Sequence, residues 1–265
     1  MTSAAATAKP RLSVVIPFNN EQDNVRPLLD ELRSTLGPVM DGGSGARAAN
    51  SLPQDRYELV LVDDGSTDAT AEEIRRAGRE GVPLRLLWHA DCRGQSTAIY
   101  NGIRAARGDL VVLLDGDLQN DPRDIDVLLA RYRADEHRES LGLLVGHRRE
   151  RRDSRLRRLS SRVANSVRGA VLRDRTPDTG CGLKVIRRSV FLELPYFDHM
   201  HRFLPALVQR AGYRVVSVPV RHRPRVHGRA HYGVWNRGWV GIVDLAGVAW
   251  LARRSRVSDY REEQF

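Results

Sequence analysis

The chain has 265 residues, a hydrophobic content of 41% and a formal net charge of +10. This length suits one sizeable α/β domain with a tail and hardly allows two full domains. All the basic side chains except Lys9 and Lys184 are arginines, which favours an anionic partner, whether a phosphorylated substrate, an acidic membrane surface or nucleic acid. Biased coding composition explains the arginine excess equally well. Cys92 and Cys181 form neither a disulfide framework nor a metal-ligand spacing, and no signal-peptide segment is visible, so we expect a reducing, cytoplasmic location.

Apolar runs and helical spacings alternate along the first half of the chain. We expect residues 1–10 to be a disordered tail, Pro17 to end the first strand, and the Gly-, Ala- and Ser-rich segment 37–55 to be a loop insertion. Helices are predicted at 21–36, from the cap at 66–68 to 78, at 94–106 and from 121–122 onwards. Strands are predicted at 12–16, 59–62, 84–88 and 110–114. This order indicates an α/β fold with a central, mostly parallel sheet and right-handed crossovers.

Two short acidic loops each follow one of the apolar runs. Asp63 and Asp64 follow the second predicted strand, and Asp115 and Asp117 follow the fourth. Uninterrupted apolar runs are typical of strands buried on both faces of a parallel sheet, so the carboxylates are expected at the strand ends where open α/β sheets bind ligands. Two aspartates separated by one glycine can bind a hard divalent cation that also contacts phosphate oxygens. The pattern predicts a metal and nucleotide site, with solvated turns as the simpler alternative.

The motifs resemble those of family 2 glycosyltransferases of the GT-A fold. The segment Asp-Leu-Gln-Asn-Asp-Pro at 117–122 is similar to polyprenyl-phosphate glycosyltransferases in particular, the group that includes dolichyl-phosphate mannose synthase. The resemblance implies a Rossmann-like, three-layer GT-A domain over residues 11–234. It also implies inverting, metal-dependent transfer of a sugar from a GDP- or UDP-sugar to a polyprenyl or dolichyl phosphate. The matching segments follow the family's order: 13–21, 62–68, 113–122, 178–184, 201–205 and 225–228.

The resemblance also assigns roles to individual residues. The metal-binding triplet corresponds to Asp115, Asp117 and Gln119, whose oxygen atoms suit Mg²⁺ or Mn²⁺. Arg202 is expected to act on the leaving diphosphate and, with Asp178, to contact the acceptor; a turn or helix cap explains Asp178 equally well. An acceptor that is a phosphate monoester is already an anionic nucleophile, so no catalytic base is assigned. The expected donor-binding residues are Pro17, Asn19, Glu21, Asp63, Asp64, Asp115, Arg225, Arg229 and His231.

The chain departs from the family pattern in two of its motifs. Relatives usually read Ser-Lys-Tyr where this chain reads Ala230-His231-Tyr232, so a histidine replaces the lysine expected near the phosphates. Arg229 is the residue that would supply the missing charge. The first motif reads Phe18-Asn19 instead of a small residue and Tyr, which leaves the nucleobase contact open.

Two arginine-flanked segments predict contact with an acidic membrane. Residues 147–175 carry eleven arginines, with apolar side chains, including Val167 and Val171, at spacings of three and four, which predicts an amphipathic helix. Residues 235–265 are predicted to be an interfacial tail, because their apolar stretch is interrupted by Asp244 and is short for a bilayer span. Helices packed on the domain or in a dimer interface are the alternatives. We therefore expect peripheral association with the inner face of the cell membrane.

Other functions remain open at this point. A GT-A enzyme with a soluble saccharide acceptor would carry the same donor motifs, whereas an RNA- or membrane-binding module would use the arginine block alone. The chain lacks an aromatic-rich RNA-recognition signature, so no nucleic-acid partner is expected. The sequence does not distinguish GDP from UDP, and it does not identify the sugar, the prenyl length or a homo-oligomeric state.

Overall fold

The computed structural model describes residues 12–36, 57–148, 167–174, 176–225 and 234–254. The expectations for the tail at 1–10, for the insertion at 37–55 and for most of the arginine block therefore fall outside the described residues. The same is true of Arg229, His231 and the last residues of the predicted interfacial tail.

Strands and helices alternate through the first half of the described chain, as the apolar pattern predicts. The second half adds three strands and a long final helix. In chain order the elements are β1 (Leu12–Phe18), α1 (Gln22–Leu36), β2 (Tyr57–Asp63), α2 (Thr70–Arg79), β3 (Leu84–Trp88), α3 (Gln95–Ala105), β4 (Leu110–Leu113), α4 (Asp124–Arg133), β5 (Leu141–Arg148), β6 (Lys184–Arg187), α5 (Arg188–Leu192), a 3₁₀ turn (Met200–Arg202), α6 (Leu204–Arg210), β7 (Arg214–Val220) and α7 (Val234–Arg253).

The sheet has seven strands in the order β3-β2-β1-β4-β6-β5-β7. β1 pairs in parallel with β2 and with β4, and β2 pairs in parallel with β3. β6 runs antiparallel to both of its neighbours, and β7 is parallel to β5. The chain builds outward from β1 to β3 and then returns to the other side of β1, which creates a topological switch point between β1 and β4. Open α/β sheets bind ligands beyond the strand ends at such a point.

Apolar side chains cover both faces of the sheet. On one face, alternate β1 residues such as Val14 and Ile16 pack with α1, α2 and α4. On the other face, Val15 packs with α3, α5, α6 and the buried Val248 of α7. This alternation is what a strand buried on both sides requires. The sheet is therefore the middle of three layers, and the predicted α/β class with a mostly parallel sheet is confirmed.

Some predicted boundaries are wrong. Pro17 does not end the first strand: β1 continues to Phe18, and Pro17 lies opposite Val62 of β2. The pairing of β1 with β4 has already stopped at Val15, so Pro17 has a neighbouring strand on one side only. A proline is tolerated there because it interrupts no ladder on the open side. The fourth helix begins at Asp124, after a turn, instead of at residues 121–122.

The described end of the arginine block differs from the predicted amphipathic helix. Residues 167–172 are helical, but Val167 and Val171, which the spacing places on a packed apolar face, are exposed. Arg168 is buried instead and donates to Asp174 Oδ1 at 3.1 Å and to the Thr176 carbonyl at 2.7 Å. A local ion pair therefore compensates the buried guanidinium, which helical spacing alone does not reveal.

The final helix α7 is docked on the domain along one side only. Leu245, Val248 and Leu251 pack against the core beside α6, and Arg210 Nε donates to the Leu251 carbonyl at 3.1 Å. The opposite side exposes apolar side chains, among them Trp250. Among the described residues, we find no helix with the length and hydropathy needed to cross a bilayer.

Candidate active site

The loops that follow β1, β2 and β4 meet at the switch point of the sheet. Asn19 Nδ2 donates to the Asp64 carbonyl at 2.7 Å, which joins the first two motifs. Gly116 lies against β1, where an added Cβ would stand 2.6 Å from a ring carbon of Phe18 and 3.0 Å from the Pro17 carbonyl. The three motifs that the sequence places at strand ends therefore converge in space.

The two aspartates after β4 lie in different surroundings. Asp115 Oδ1 accepts a hydrogen bond from Gln95 Nε2 at 2.9 Å. Burial and the neighbouring Asp117 carboxylate raise the pKa of Asp115 to about 6, against the opposing attraction of Lys184. Asp117 accepts from the Gln119 backbone N–H at 3.1 Å and from Arg225 Nη2 at 2.7 Å. Two neighbouring carboxylates therefore repel each other at this point, a cost that a bound cation would remove.

The loop before β6 closes over Asp115. A Cβ added to Gly182 would stand 2.0 Å from Asp115 Oδ2 and 2.8 Å from Asn120 Nδ2, so only glycine leaves room for this carboxylate. Lys184 is buried nearby, donates to the Cys181 carbonyl, and has its pKa lowered by that burial. The segment 178–184, which the sequence matched to the family as a motif, therefore forms one wall of the site.

Asp64 holds a loop of the protein with both of its carboxylate oxygens. Its Oδ1 accepts from Arg93 N–H at 2.9 Å and lies 2.7 Å from His89 Nδ1, and its Oδ2 accepts from Gly94 N–H at 2.8 Å. Cys92 Sγ lies 3.4 Å from the same Oδ2. Asp64 thereby fixes the loop between β3 and α3. This support role differs from the donor contact that the resemblance implies, which stays a prediction.

Replacing Asp64 with Asn is expected to destabilise the fold. An amide loses two of the acceptor positions, so we expect the free energy of unfolding to fall by about 2–3 kcal/mol, as for hydrogen bonds to a buried charged group. Urea denaturation measures the change. The matched control is Asp91→Asn in the same loop, whose exposed side chain pairs with Arg93 at 3.2 Å. Equal stability of both variants would contradict the support role of Asp64.

The remaining predicted donor-side residues line the same opening. Glu21 lies 3.7 Å from Arg225 and accepts from Asn24; burial raises its pKa to about 6 against these attractions. Asp63 is buried and accepts from Ser66 N–H at 3.3 Å. Pro17 and Asn19 are half-buried at the end of β1. The contacts of these side chains with a nucleoside stay predictions.

Arg202 belongs to a 3₁₀ turn that contacts α3 through the neighbouring residue His201. The Ser96 hydroxyl lies 2.7 Å from His201 Nδ1 and accepts from the His201 backbone N–H at 3.3 Å. Burial holds the pKa of His201 well below its ordinary value. Ser96 directly follows Gln95, which contacts Asp115. The 3₁₀ turn that carries Arg202 is therefore attached beside the Asp115 end of α3.

Asp178 pairs with an arginine that sequence reasoning missed. Arg148 Nε and Nη2 donate to the two Asp178 oxygens at 2.7 and 2.8 Å in a bidentate pair. The predicted acceptor contact of Asp178 stays a prediction, and its visible role is to hold Arg148. Gln95, Ser96 and Lys184 were also not assigned roles. Arg148 had a local signal, since it ends an apolar run that forms β5, and Lys184 ends the segment 178–184 that matched a family motif.

Three alternate arginines follow β7 and face acidic side chains of the site. Arg221 pairs with Asp124 at 2.8 Å, and Arg223 reaches Asp121 at 3.0 Å. Arg225 pairs with Asp117. The Arg223 backbone N–H also donates to the Gln119 carbonyl at 2.9 Å, so the segment runs alongside the loop after β4. We call residues 221–225, which follow the end of β7, the arginine segment.

The oxygen donors fit a hard divalent cation. Among the described residues, no three His, Cys, Asp or Glu side chains converge as a ready metal centre. The predicted set of Asp115, Asp117 and Gln119 contains only two carboxylates, so a cation bound here needs further oxygen ligands. The mutual repulsion of Asp115 and Asp117, which contributes to the raised pKa of the Asp115 carboxyl group, agrees with such an ion. Asp115 and Asp117 would hold it, and Gln119 would assist.

The mostly parallel three-layer fold, with acidic loops at its switch point, defines an α/β protein of the glycosyltransferase type. The family model described as "Glycosyl transferase family 2" matches residues 13–194, and the chain belongs to this family. The family resemblance predicted from the motifs is thereby confirmed.

Curated relatives resemble the chain over most of its length. It is 39% identical over 246 residues to a dodecaprenyl-phosphate galacturonate synthase of Rhizobium johnstonii, covering 91% of this chain and 67% of the relative. It is 35% identical over 224 residues to an undecaprenyl-phosphate 4-deoxy-4-formamido-L-arabinose transferase of Edwardsiella ictaluri, covering 84% and 63% respectively. The chain therefore spans about two thirds of the length of these relatives.

Solved structures share the fold at lower identity. A mannosyltransferase of Pyrobaculum calidifontis, in complex with GDP-Man and Mn²⁺, superposes with a TM-score of 0.60 at 22% identity, covering 95% of this chain and 66% of the other. A glucosyl-3-phosphoglycerate synthase of Mycobacterium tuberculosis, in complex with Mg²⁺ and UDP, gives 0.63 at 17% identity, covering 95% and 81%. The GT-A fold predicted from the motifs is confirmed.

Proposed function

We propose that the protein transfers a sugar from a nucleoside-diphosphate sugar to a polyprenyl phosphate, with inversion at the anomeric carbon and with Mg²⁺ or Mn²⁺ as cofactor. One observation carries the proposal: Asp115 and Asp117 lie together at the switch point with Arg225 beside them. This arrangement suits a diphosphate because it combines oxygen ligands for a cation with a guanidinium group. The names of the two curated relatives described above, both of them prenyl-phosphate enzymes, support the acceptor class.

The reaction needs positioning and charge stabilisation more than proton transfer. An acceptor phosphate oxygen forms the new bond to sugar C1, while the bond from C1 to the diphosphate breaks and its electron pair leaves with the nucleoside diphosphate. A bound divalent cation would stabilise the negative charge that develops on this leaving group. We propose that Arg225 and Arg202 share that charge; the pair of Arg225 with Asp117 and the contact of His201 with Ser96 support these roles. No general base is required, because the acceptor is already ionised.

The donor side of the site is built on Glu21, Asn19 and Asp63. These residues surround the end of β1, where the resemblance places the base and ribose of the donor. GDP and UDP both satisfy this chemistry, and the solved structures with this fold include complexes of each kind of nucleotide. We propose a nucleotide-sugar donor without assigning the base or the sugar.

Purified protein tests the proposal directly. It is incubated with a panel of GDP- and UDP-sugars, Mn²⁺ or Mg²⁺ and a short polyprenyl phosphate, and the lipid is analysed by mass spectrometry. We expect one sugar added to the lipid phosphate and loss of the product when the metal is chelated. Transfer to a soluble saccharide with no dependence on lipid would overturn the acceptor assignment.

We further propose that α7 binds an anionic bilayer surface through its exposed side. Ile242, Val243 and Trp250 form an exposed apolar strip on the side opposite the docked residues. The Arg254 guanidinium lies over the Trp250 ring, 5.6 Å from its centroid, so a cation accompanies the aromatic anchor. Aromatic side chains beside arginines are typical of helices that lie in the membrane interface. A location at the inner face of the membrane stays a prediction.

Replacing Trp250 with Ser is expected to weaken vesicle binding several-fold. The loss of one interfacial aromatic side chain removes roughly 1–2 kcal/mol of apolar transfer free energy. Co-sedimentation with vesicles containing anionic lipid measures the change. The matched control is Trp88→Ser on the edge strand β3, because Trp88 is 62% exposed and Trp250 is 61% exposed. Equal loss in the two variants, or in neither, would refute the α7 surface.

A further inference from the structure

The guanidinium of Arg225 lies where a cation that binds Asp117 would compete with it. Arg225 Nη2 is 2.7 Å from Asp117 Oδ2, and Nη1 is 3.7 Å from Glu21 Oε1. Asp117 is buried, and the Arg225 guanidinium partly neutralises its negative charge. A divalent ion and this guanidinium would share the same carboxylate at the cost of mutual repulsion.

The rest of the arginine segment anchors Arg225 in this position. Arg221 donates from its backbone N–H to Asp124 at 2.7 Å and from its guanidinium to the same carboxylate at 3.0 and 2.8 Å. Arg223 donates to both Glu31 oxygens at 2.8 Å. These pairs lie away from Asp117 and can persist when that carboxylate binds another cation. Within this segment, Arg225 is the member whose guanidinium pairs with a carboxylate of the predicted metal set.

We propose that Arg225 is an internal counter-cation, which pairs with Asp117 in the metal-free protein and exchanges this carboxylate for the donor diphosphate when the metal–nucleotide complex binds. The inference rests on the proposed function, because it needs a site for a divalent cation and a diphosphate. The proposal predicts that Arg225 has opposite effects on the binding of the cation and of the diphosphate. Arg225 opposes binding of the bare cation and favours binding of the diphosphate, so the site is selective for the complex of the two.

Two binding titrations without acceptor or sugar transfer test this exchange. In the first, Mn²⁺ alone is added to the full chain, and free Mn²⁺ is measured by electron paramagnetic resonance. Replacing Arg225 with Gln is expected to tighten Mn²⁺ binding by about tenfold, because one positive charge next to the ion is removed. In the second, GDP and UDP are titrated at saturating Mn²⁺. The same variant is expected to bind the nucleoside diphosphate about tenfold more weakly, because a charge-assisted contact is lost.

The matched control is Arg214→Gln, which removes a guanidinium that pairs with Asp135 at the opposite end of β7. It is expected to leave both affinities within about twofold of the wild type. Arg225→Lys, which keeps the charge, should bind Mn²⁺ like the wild type, and this second variant distinguishes lost charge from lost structure. Equal or weaker Mn²⁺ binding by the Arg225→Gln protein would overturn the counter-cation, and so would Mn²⁺ binding that Asp117→Asn leaves intact. Neither result bears on sugar transfer, which is assayed separately.

Discussion

Replacing Asp117 with Asn is expected to reduce sugar transfer by roughly 10³-fold or more, since the variant loses an anionic oxygen ligand for the cation that stabilises the leaving diphosphate. The substitution keeps the size of the side chain and leaves the adjacent turn, in which Gln119 N–H donates to Asp117, able to form. We therefore expect a folded protein with little activity. Product formation on the lipid is measured by mass spectrometry at saturating donor and metal.

The control for this variant is Asp126→Asn. Asp126 belongs to α4 close behind the same loop, but its side chain is exposed and points away from the core. Turnover in this control should equal that of the wild type, and circular dichroism should be the same for all three proteins. Unchanged turnover in the Asp117 variant would remove the metal assignment.

Replacing Gly182 with Ala is expected to lower transfer by about 100-fold, the loss typical of a reacting group misplaced by about 1 Å. The added methyl carbon would stand 2.0 Å from Asp115 Oδ2 and 2.3 Å from its Cγ, so the carboxylate must shift. The effect should appear in Mn²⁺ affinity as well as in turnover, because the displaced group is a predicted metal ligand. Initial rates and a Mn²⁺ titration measure the two.

Gly180 offers the control in the same loop. A Cβ at that position would stand 3.5 Å from Arg148 Nη2, which is an ordinary contact. The Gly180→Ala protein is expected to retain activity within about threefold of the wild type, as surface substitutions do. If both variants lose activity, the whole loop is sensitive to substitution. The explanation that the Gly182 variant specifically crowds Asp115 would then be wrong.

Local pattern is sufficient for the first half of the fold. The strands β1 to β4 are continuous apolar runs, and Gly, Pro and Asp residues mark the turns between them. These strands are buried on both faces of the sheet, which explains why their apolar composition identifies them in the sequence. Residues at the ends of these strands, such as Asp63 and Asp115, are therefore placed correctly by their position in the sequence. The same reasoning misplaced the end of β1, because it could not know that β4 stops pairing before Pro17.

Contacts between distant residues lie beyond local pattern. Arg148 meets Asp178 across 30 positions, and Arg225 meets Asp117 across 108 positions. Such pairs depend on how β5, β6 and β7 join the sheet, which periodicity does not reveal. Asp64 shows the same limit. Its motif predicts a ligand contact, but its hydrogen bonds to the loop that follows β3 could not be predicted from the motif. Charge and residue type predict the candidate site, and topology decides which charges meet.

The near-absence of lysine has a practical outcome for labelling. Lys184 is one of two lysines in the chain, and its amine is buried under the Cys181 carbonyl. Reagents that acylate primary amines will therefore leave it unmodified while the wall around Asp115 is closed. Acylation of Lys184 would show that this wall has opened. Pulse acylation followed by peptide mass spectrometry would therefore measure the rate of local unfolding at this site.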